Sequence, residues 1–170
     1  MNALIPATCL AFLVCVPTAT AQAAPKKPAS QHFETLNAAD LKWGAAPPGL
    51  PRGAQMAVLH GDPTKDVQFA LRLKLPDGYK IPPHWHTKDE LLTILSGTFV
   101  LHMGDTMTAP AYTLNAGGFH YLPGRMHHAA VVRGETILQI NGIGPFDIHY
   151  LNPGDDPRKT TPGTSGQSGT

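Results

Sequence analysis

The chain has 170 residues, with 13 Lys and Arg against 12 Asp and Glu, so its formal net charge is only +1. That balance excludes the basic footprint of a nucleic-acid-binding protein or of one that coats an anionic membrane. Seventeen glycines and seventeen prolines, scattered between short apolar runs, exclude a helical bundle and point to one turn-rich all-β domain.

Leu4 to Val16 is apolar and uncharged, and Ala19-Thr20-Ala21 and Ala21-Gln22-Ala23 are small-x-small cleavage sites. Residues 1–23 are therefore expected to be a secretory signal peptide, which places the protein outside the cytoplasm, in the periplasm. The run is too short for a membrane anchor, which needs about 20 apolar residues. Both cysteines, Cys9 and Cys15, fall inside it. Cleavage after Ala21 or Ala23 leaves a mature chain without a thiol, so nitrogen and oxygen would have to hold any metal.

Residues 24–31 read as a proline-bearing linker, and the folded domain is expected over 32–152. Phe33, Leu36, Leu41 and Trp43 offer apolar cover for one end of a barrel. Residues 45–53, with three prolines and two glycines, form no regular element. Gln55 to His60 reads as a strand. From Val67 to Leu75 every second residue is apolar, the period of a half-buried strand.

Further strands are expected at Lys80 to His86, Glu90 to Ser96, Thr98 to Met103, Tyr112 to Leu114 and Phe119 to Leu122. His127 to Val132, Thr136 to Asn141 and Phe146 to Tyr150 complete the set, with a tight turn at Arg133-Gly134-Glu135. Leu91, Leu92, Ile94 and Leu95 make the strand from Glu90 apolar on both faces, as in a packed sandwich. From residue 153 to 170 the chain is Pro, Gly, Ser, Thr and a few charges, and it is expected to be disordered.

The chemistry concentrates between Gly78 and Gly97, GYKIPPHWHTKDELLTILSG. His84 and His86 share one face of a strand while Trp85 takes the other, and Glu90 follows four residues on. Two imidazoles and a nearby carboxylate begin a metal shell. The chain's own residue frequencies give on the order of 10⁻⁴ chance matches to this spacing.

The spacing Gly-x5-His-x-His-x3-Glu-x6-Gly is the first motif of the cupin superfamily, which the chain resembles at every position of that motif. Gly117-x5-Pro123-x4-His128 resembles the second motif, with Arg125 where glycine is usual and Val132 where asparagine is usual. His128 is the preferred fourth ligand, and alignment on Gly124 would make it His127. Adjacent strand residues face opposite ways, so only one of the two can point inward.

Leu41-Lys42-Trp43-Gly44, Pro76-Asp77-Gly78, Gly144-Pro145-Phe146 and the ending from Asn152 to Arg158 resemble a group of small secreted single-domain cupins. That group is related to the cupin domain of zinc-dependent anti-sigma factors. The resemblance implies an antiparallel β-barrel (a double-stranded jelly roll) with a divalent metal on His84, His86, Glu90 and His128. It is compatible with a homodimer. Three neutral imidazoles and one carboxylate leave a divalent ion at net +1, a set suited to Fe, Mn, Ni, Co or Zn and unlike the all-oxygen shells of Ca²⁺ and Mg²⁺.

The leading expectation is a metal-dependent enzyme, a dioxygenase-type oxidoreductase acting on a small oxygenated molecule. Lyase or isomerase chemistry on the same site, a metal-bound binding or sensing module, and a purely structural metal are the alternatives. A second titratable group aimed at the site, such as Tyr112, His120 or His102, would favour an enzyme. Gln139 reads equally as an inward-facing amide or as part of a polar face turned to solvent, and His149 is expected on a polar face with Asp147. Expected partners are a small molecule, with no nucleic acid and no membrane once the signal is removed. Metal affinity should fall steeply as histidines protonate below about pH 6, while the metal-free barrel should still fold and change less.

Overall fold

The computed structural model describes residues 33–159, in a compact unit that begins at Glu34. The expected signal peptide and linker, and residues 160–170 of the expected tail, lie outside the described residues.

Nine strands run among the described residues: β1 Gly44–Ala45, β2 Gln55–His60, β3 Gln68–Leu75, β4 Lys80–Trp85, β5 Glu90–Met103, β6 Ala111–Asn115, β7 Phe119–Leu122, β8 His128–Ile143 and β9 His149–Tyr150. Every pairing is antiparallel. No helix among the described residues is long and apolar enough to cross a membrane.

Two long strands organise the sheet. Residues 136–143 of β8 pair with β3 on one side and with the start of β5 on the other. Residues 128–131 pair with β4, and 128–133 with the end of β5. β7 extends the first group at Glu90↔Leu122, and β6 extends the second at Thr98↔Asn115. The sheet thus curls on itself as a jelly-roll barrel. Phe69, Leu71, Leu73 and Leu75 of β3, Leu92 and Ile94 of β5, and Leu138 and Ile140 of β8 fill it.

Four expectations are corrected. The strands read on either side of Gly97 are one strand, and so are those on either side of 133–135. Glu90, Leu92 and Ile94 face inward, but beyond Gly97 the inward residues are Phe99 and Leu101. That change from even to odd needs an extra residue, and the register shifts there, between Ile94 and Ser96 and between Ser96 and Thr98. Second, Leu91 and Leu95 are 37% and 39% exposed, because no second layer among the described residues covers the outer face of this part of the sheet. Third, β9 is only two residues long.

Fourth, the tail does not lose order at 153. Pro153–Asp155 forms a 3-10 turn, and Arg158 donates to the Asp156 carboxylate at 2.7 Å and to the Ile148 carbonyl at 3.0 Å. A forked guanidinium bound to carboxylate and backbone orders a segment that buries little apolar surface. The barrel mouth is rimmed not by Leu36, which is exposed, but by residues 46–50, whose Gly49 carbonyl accepts from the Tyr150 hydroxyl at 2.8 Å. Trp43 lies under Lys74, whose Nζ is 4.6 Å from the ring centroid.

Gly97 is the least replaceable residue of the bend. Its φ is +79°, and a Cβ there would sit 2.6 Å from the Glu135 carbonyl oxygen. Gly97→Ala is expected to lower stability by about 3 kcal/mol, combining left-handed strain with a backbone clash. Urea unfolding should show the midpoint falling at unchanged slope.

Candidate metal centre

The site begins with a proline pair. Ile81 and His84 both face inward although they are three residues apart, which plain alternation forbids. Ile81 pairs with Ala130 and His84 with His128, so β4 carries one residue more than β8 between those pairs, at Pro82-Pro83. Neither proline could donate to the ladder, which makes this a low-cost place for the bulge. From His84 onward alternation resumes: His84 and His86 are buried, and Trp85 faces out, stacked on His149 at 4.1 Å between ring centroids.

His128 opens β8 directly opposite His84, with ring centroids 4.1 Å apart. His127 turns outward, its Nδ1 2.7 Å from the Asp105 carboxylate. His84, His86 and His128 form a group able to hold a metal ion, with their candidate ligand nitrogens all within 4.8 Å of one another.

Each of the three rings is fixed through Nδ1 by a backbone carbonyl. His84 reaches Pro82 O at 2.7 Å, His128 reaches Met126 O at 3.0 Å, and His86 reaches the carbonyl of Asp147. A carbonyl oxygen can only accept, so each Nδ1 carries the proton and each neutral ring presents an Nε2 lone pair. Phe146 holds the His86 ring further, stacked 18° from parallel at 4.5 Å. Three lone pairs in one buried pocket, with no donor among them, fit a cation. This is the orientation that metal-bound histidines take when a carbonyl holds the other nitrogen.

Glu90 begins β5 and is 5% exposed. One carboxylate oxygen lies 3.9 Å from His86 Nε2, and the other lies 3.5 Å from His128 Nε2. It is not part of the group of three, and its Oε2 lies nearer to a fourth histidine, His120, at 3.2 Å from Nε2. His120 is buried on β7, and its Nδ1 has no hydrogen-bond partner. Nε2 therefore carries the proton and donates to Glu90. Burial favours the protonated acid of Glu90, but the hydrogen bond donated by His120 opposes it, and the carboxyl is held below the usual range.

The other candidates lie elsewhere. Tyr112 is exposed, and His102 contacts the Ala109 carbonyl at 3.1 Å. Gln139 faces outward between buried Leu138 and Ile140, and its amide oxygen accepts from Arg72 Nε at 3.1 Å, so of its two readings the outward one holds. His149 contacts Asp147 as expected, at 2.9 Å. Arg125 has φ of +67°, which explains why glycine is usual there, and its N–H donates to the His86 carbonyl at 2.7 Å.

The imidazoles line a cavity of about 200 Å³. Leu71, Leu73, Leu92, Phe99, Leu138 and Ile140 line it, together with Pro47, Leu50 and Ile148. Sequence reasoning missed the part of Phe146 and the Asp147 carbonyl, which are sixty residues from His86 and signalled by nothing local. Alternation could place His120 inward but not opposite Glu90.

A jelly-roll barrel with three inward histidines on adjacent strands defines a class of small metal-capable β-barrels. Residues 71–144 match the family model described as a cupin domain. The polyketide cyclase RemF from Streptomyces resistomycificus is similar in fold, with a TM-score of 0.59 at 16% identity over 74% of this chain and 90% of that one. A putative acetylacetone dioxygenase from Methylibium petroleiphilum PM1 has a TM-score of 0.58 at 17% identity, over 76% and 88%. An RmlC-like cupin from Ralstonia eutropha JMP134 has 0.56 at 20%, over 74% and 76%. At these identities the likeness is one of fold. The search of curated proteins gave no significant match.

The buried imidazoles change the pH expectation for the metal-free barrel. Burial, and then the neighbouring imidazoles, push His84 well below its ordinary value; burial likewise lowers His128 against a partial lift from Glu90. The unfolded chain binds protons near pH 6.5 that the fold refuses, so this stability is complete above that pH and lost as pH falls below it. The slope approaches about 1.4 kcal/mol per pH unit for each neutral imidazole. Metal-free protein should therefore melt progressively lower from pH 6.5 to 4.5, contrary to the expectation of a small change. Differential scanning calorimetry after chelation would check this.

Proposed function

We propose that the protein is a secreted, metal-dependent cupin enzyme, a dioxygenase-type oxidoreductase that acts on a small oxygenated molecule. The observation that carries this reading is the set of three Nε2 lone pairs aimed, without a donor, into the buried end of an apolar cavity. His84, His86 and His128 would hold one divalent Fe, Mn, Ni, Co or Zn ion, and Glu90 would be the fourth ligand and lower the site's charge. When bound, such an ion supplies Lewis acidity and, for the redox-active metals, electron transfer. The chain's own residues do the rest: the carbonyls fix each ring, Phe146 braces His86, and the leucine walls exclude water.

Two similar folds support the reading by what they are named for, a dioxygenase for acetylacetone and a cyclase for polyketides. The signal-like segment at residues 1–23 supports secretion into the periplasm.

One observation favours a second reading, a binding or sensing module without turnover. Besides the histidines and Glu90, Asp147 is the one titratable residue lining the cavity, and its carboxylate is engaged by Thr87 and His149. Oxygen consumption by the iron-loaded protein with β-diketones, against ligand binding without consumption, separates the two readings.

Elemental analysis of purified protein tests the site itself. His84→Ala, His86→Ala and His128→Ala should each lose stoichiometric metal, while His127→Ala should keep it; the reverse for the last pair would move the ligand by one residue. His120 should act on affinity through Glu90. His120→Phe is expected to weaken Zn²⁺ or Co²⁺ binding by about tenfold to a hundredfold, and His120→Gln, which restores a donor, should recover part of it. Competition with a chromophoric chelator would measure both.

A further inference from the structure

The cavity has one polar end and no second one. Leu71, Leu73, Leu92, Phe99, Leu138 and Ile140 line it, and none is more than 6% exposed. The polar lining residues away from the histidines are already satisfied: Asp147 holds Thr87 and His149, and the Thr64 hydroxyl donates to Asp62 at 2.7 Å. Pro47, Leu50 and Ile148 add further carbon to the lining. A cavity of about 200 Å³ takes a small molecule as its occupant.

These walls penalise polar bodies and reward apolar ones. A hydroxyl or charge pushed against the leucines would lose its water and find no partner, which costs on the order of tenfold or more in affinity for each group. A methylene in the same place gains about fourfold. At the polar end, three neutral imidazoles, one carboxylate and a divalent ion sum to +1, which suits a head with a single negative charge.

We infer that the substrate class is a small molecule with one monoanionic oxygen-donor head, such as an enolate or carboxylate, on an apolar body. Polyhydroxylated and multiply charged molecules are excluded by the same walls. The inference rests on the metal reading proposed above and adds the polarity and number of the substrate's functional groups.

Hydroxamates test it, because one constant head can carry different bodies. The full-length protein is loaded with Co²⁺ and titrated with acetohydroxamate, then with straight-chain homologues up to seven carbons, and with gluconohydroxamate. Binding is read from the visible cobalt spectrum and by calorimetry. The expected result is a spectral change with acetohydroxamate and about fourfold tighter binding for each added methylene until the cavity is full. Gluconohydroxamate should bind no more tightly than acetohydroxamate. Affinity that is flat or falling with chain length, or highest for gluconohydroxamate, overturns the substrate class while leaving the metal site standing. A cobalt spectrum that no hydroxamate perturbs overturns this inference, and failure to take up Co²⁺ overturns the metal reading and this inference with it.

Discussion

Everything at the centre of this molecule depends on three backbone carbonyls. Pro82 O, Met126 O and the carbonyl of Asp147 each accept the Nδ1 proton of one histidine, and so decide which nitrogen of that ring faces the cavity. Two of the three carbonyls lie only two residues before the ring they hold, in irregular backbone at the start of a strand or beside a bulge. Such carbonyls are free because the ladder does not use them. A regular β4 would have paired Pro82 O across the sheet and left His84 free to rotate. The bulge therefore does two things at once: it turns His84 to the inside and supplies the oxygen that fixes its tautomer.

The carboxylate follows a different logic. Glu90 is buried with two imidazoles that present lone pairs to it and one, His120, that donates to it. A buried carboxylate facing acceptors is unfavourable unless a cation or a donor offsets it. His120 supplies one donor, and its other nitrogen remains buried and unpaired. A cation among the histidines would supply the remaining stabilisation, which is why the arrangement reads as a set of ligands and not as a structural ion pair.

What the sequence could show was whatever repeats or lies close along the chain. Alternation placed Phe69, Leu71, Leu73 and Leu75 inside correctly, and the spacing of His84 and His86 put both on one face. The choice between His127 and His128 also fell to alternation, once the pairing of His128 with His84 set the phase. The two merged strands share one cause: a glycine that reads as the end of a strand is a bend within one. Gly97 and Gly134 both have positive φ, but β5 and β8 continue through them because each strand keeps the other as its partner across the bend. Partner identity is a long-range property, and no local pattern encodes it. The same holds for Leu91 and Leu95, whose exposure depends on whether a second layer covers them.

The departures from the family spacing become intelligible in three dimensions. Arg125 stands at a left-handed position where glycine costs nothing, and non-glycine residues pay about 1–2 kcal/mol there. The position is held because its N–H donates to the carbonyl of His86, which ties the loop before β8 to the end of β4. Its guanidinium lies 5.4 Å from the Trp85 ring centroid, on the outer side of the strand that carries both histidines. That cation–π contact returns part of the strain. Val132 stands where asparagine is usual and is buried in the core, so here an apolar contact replaces a polar one. Both changes lie outside the set of lone pairs, so they alter the walls and braces of the site while leaving its chemistry to His84, His86, Glu90 and His128.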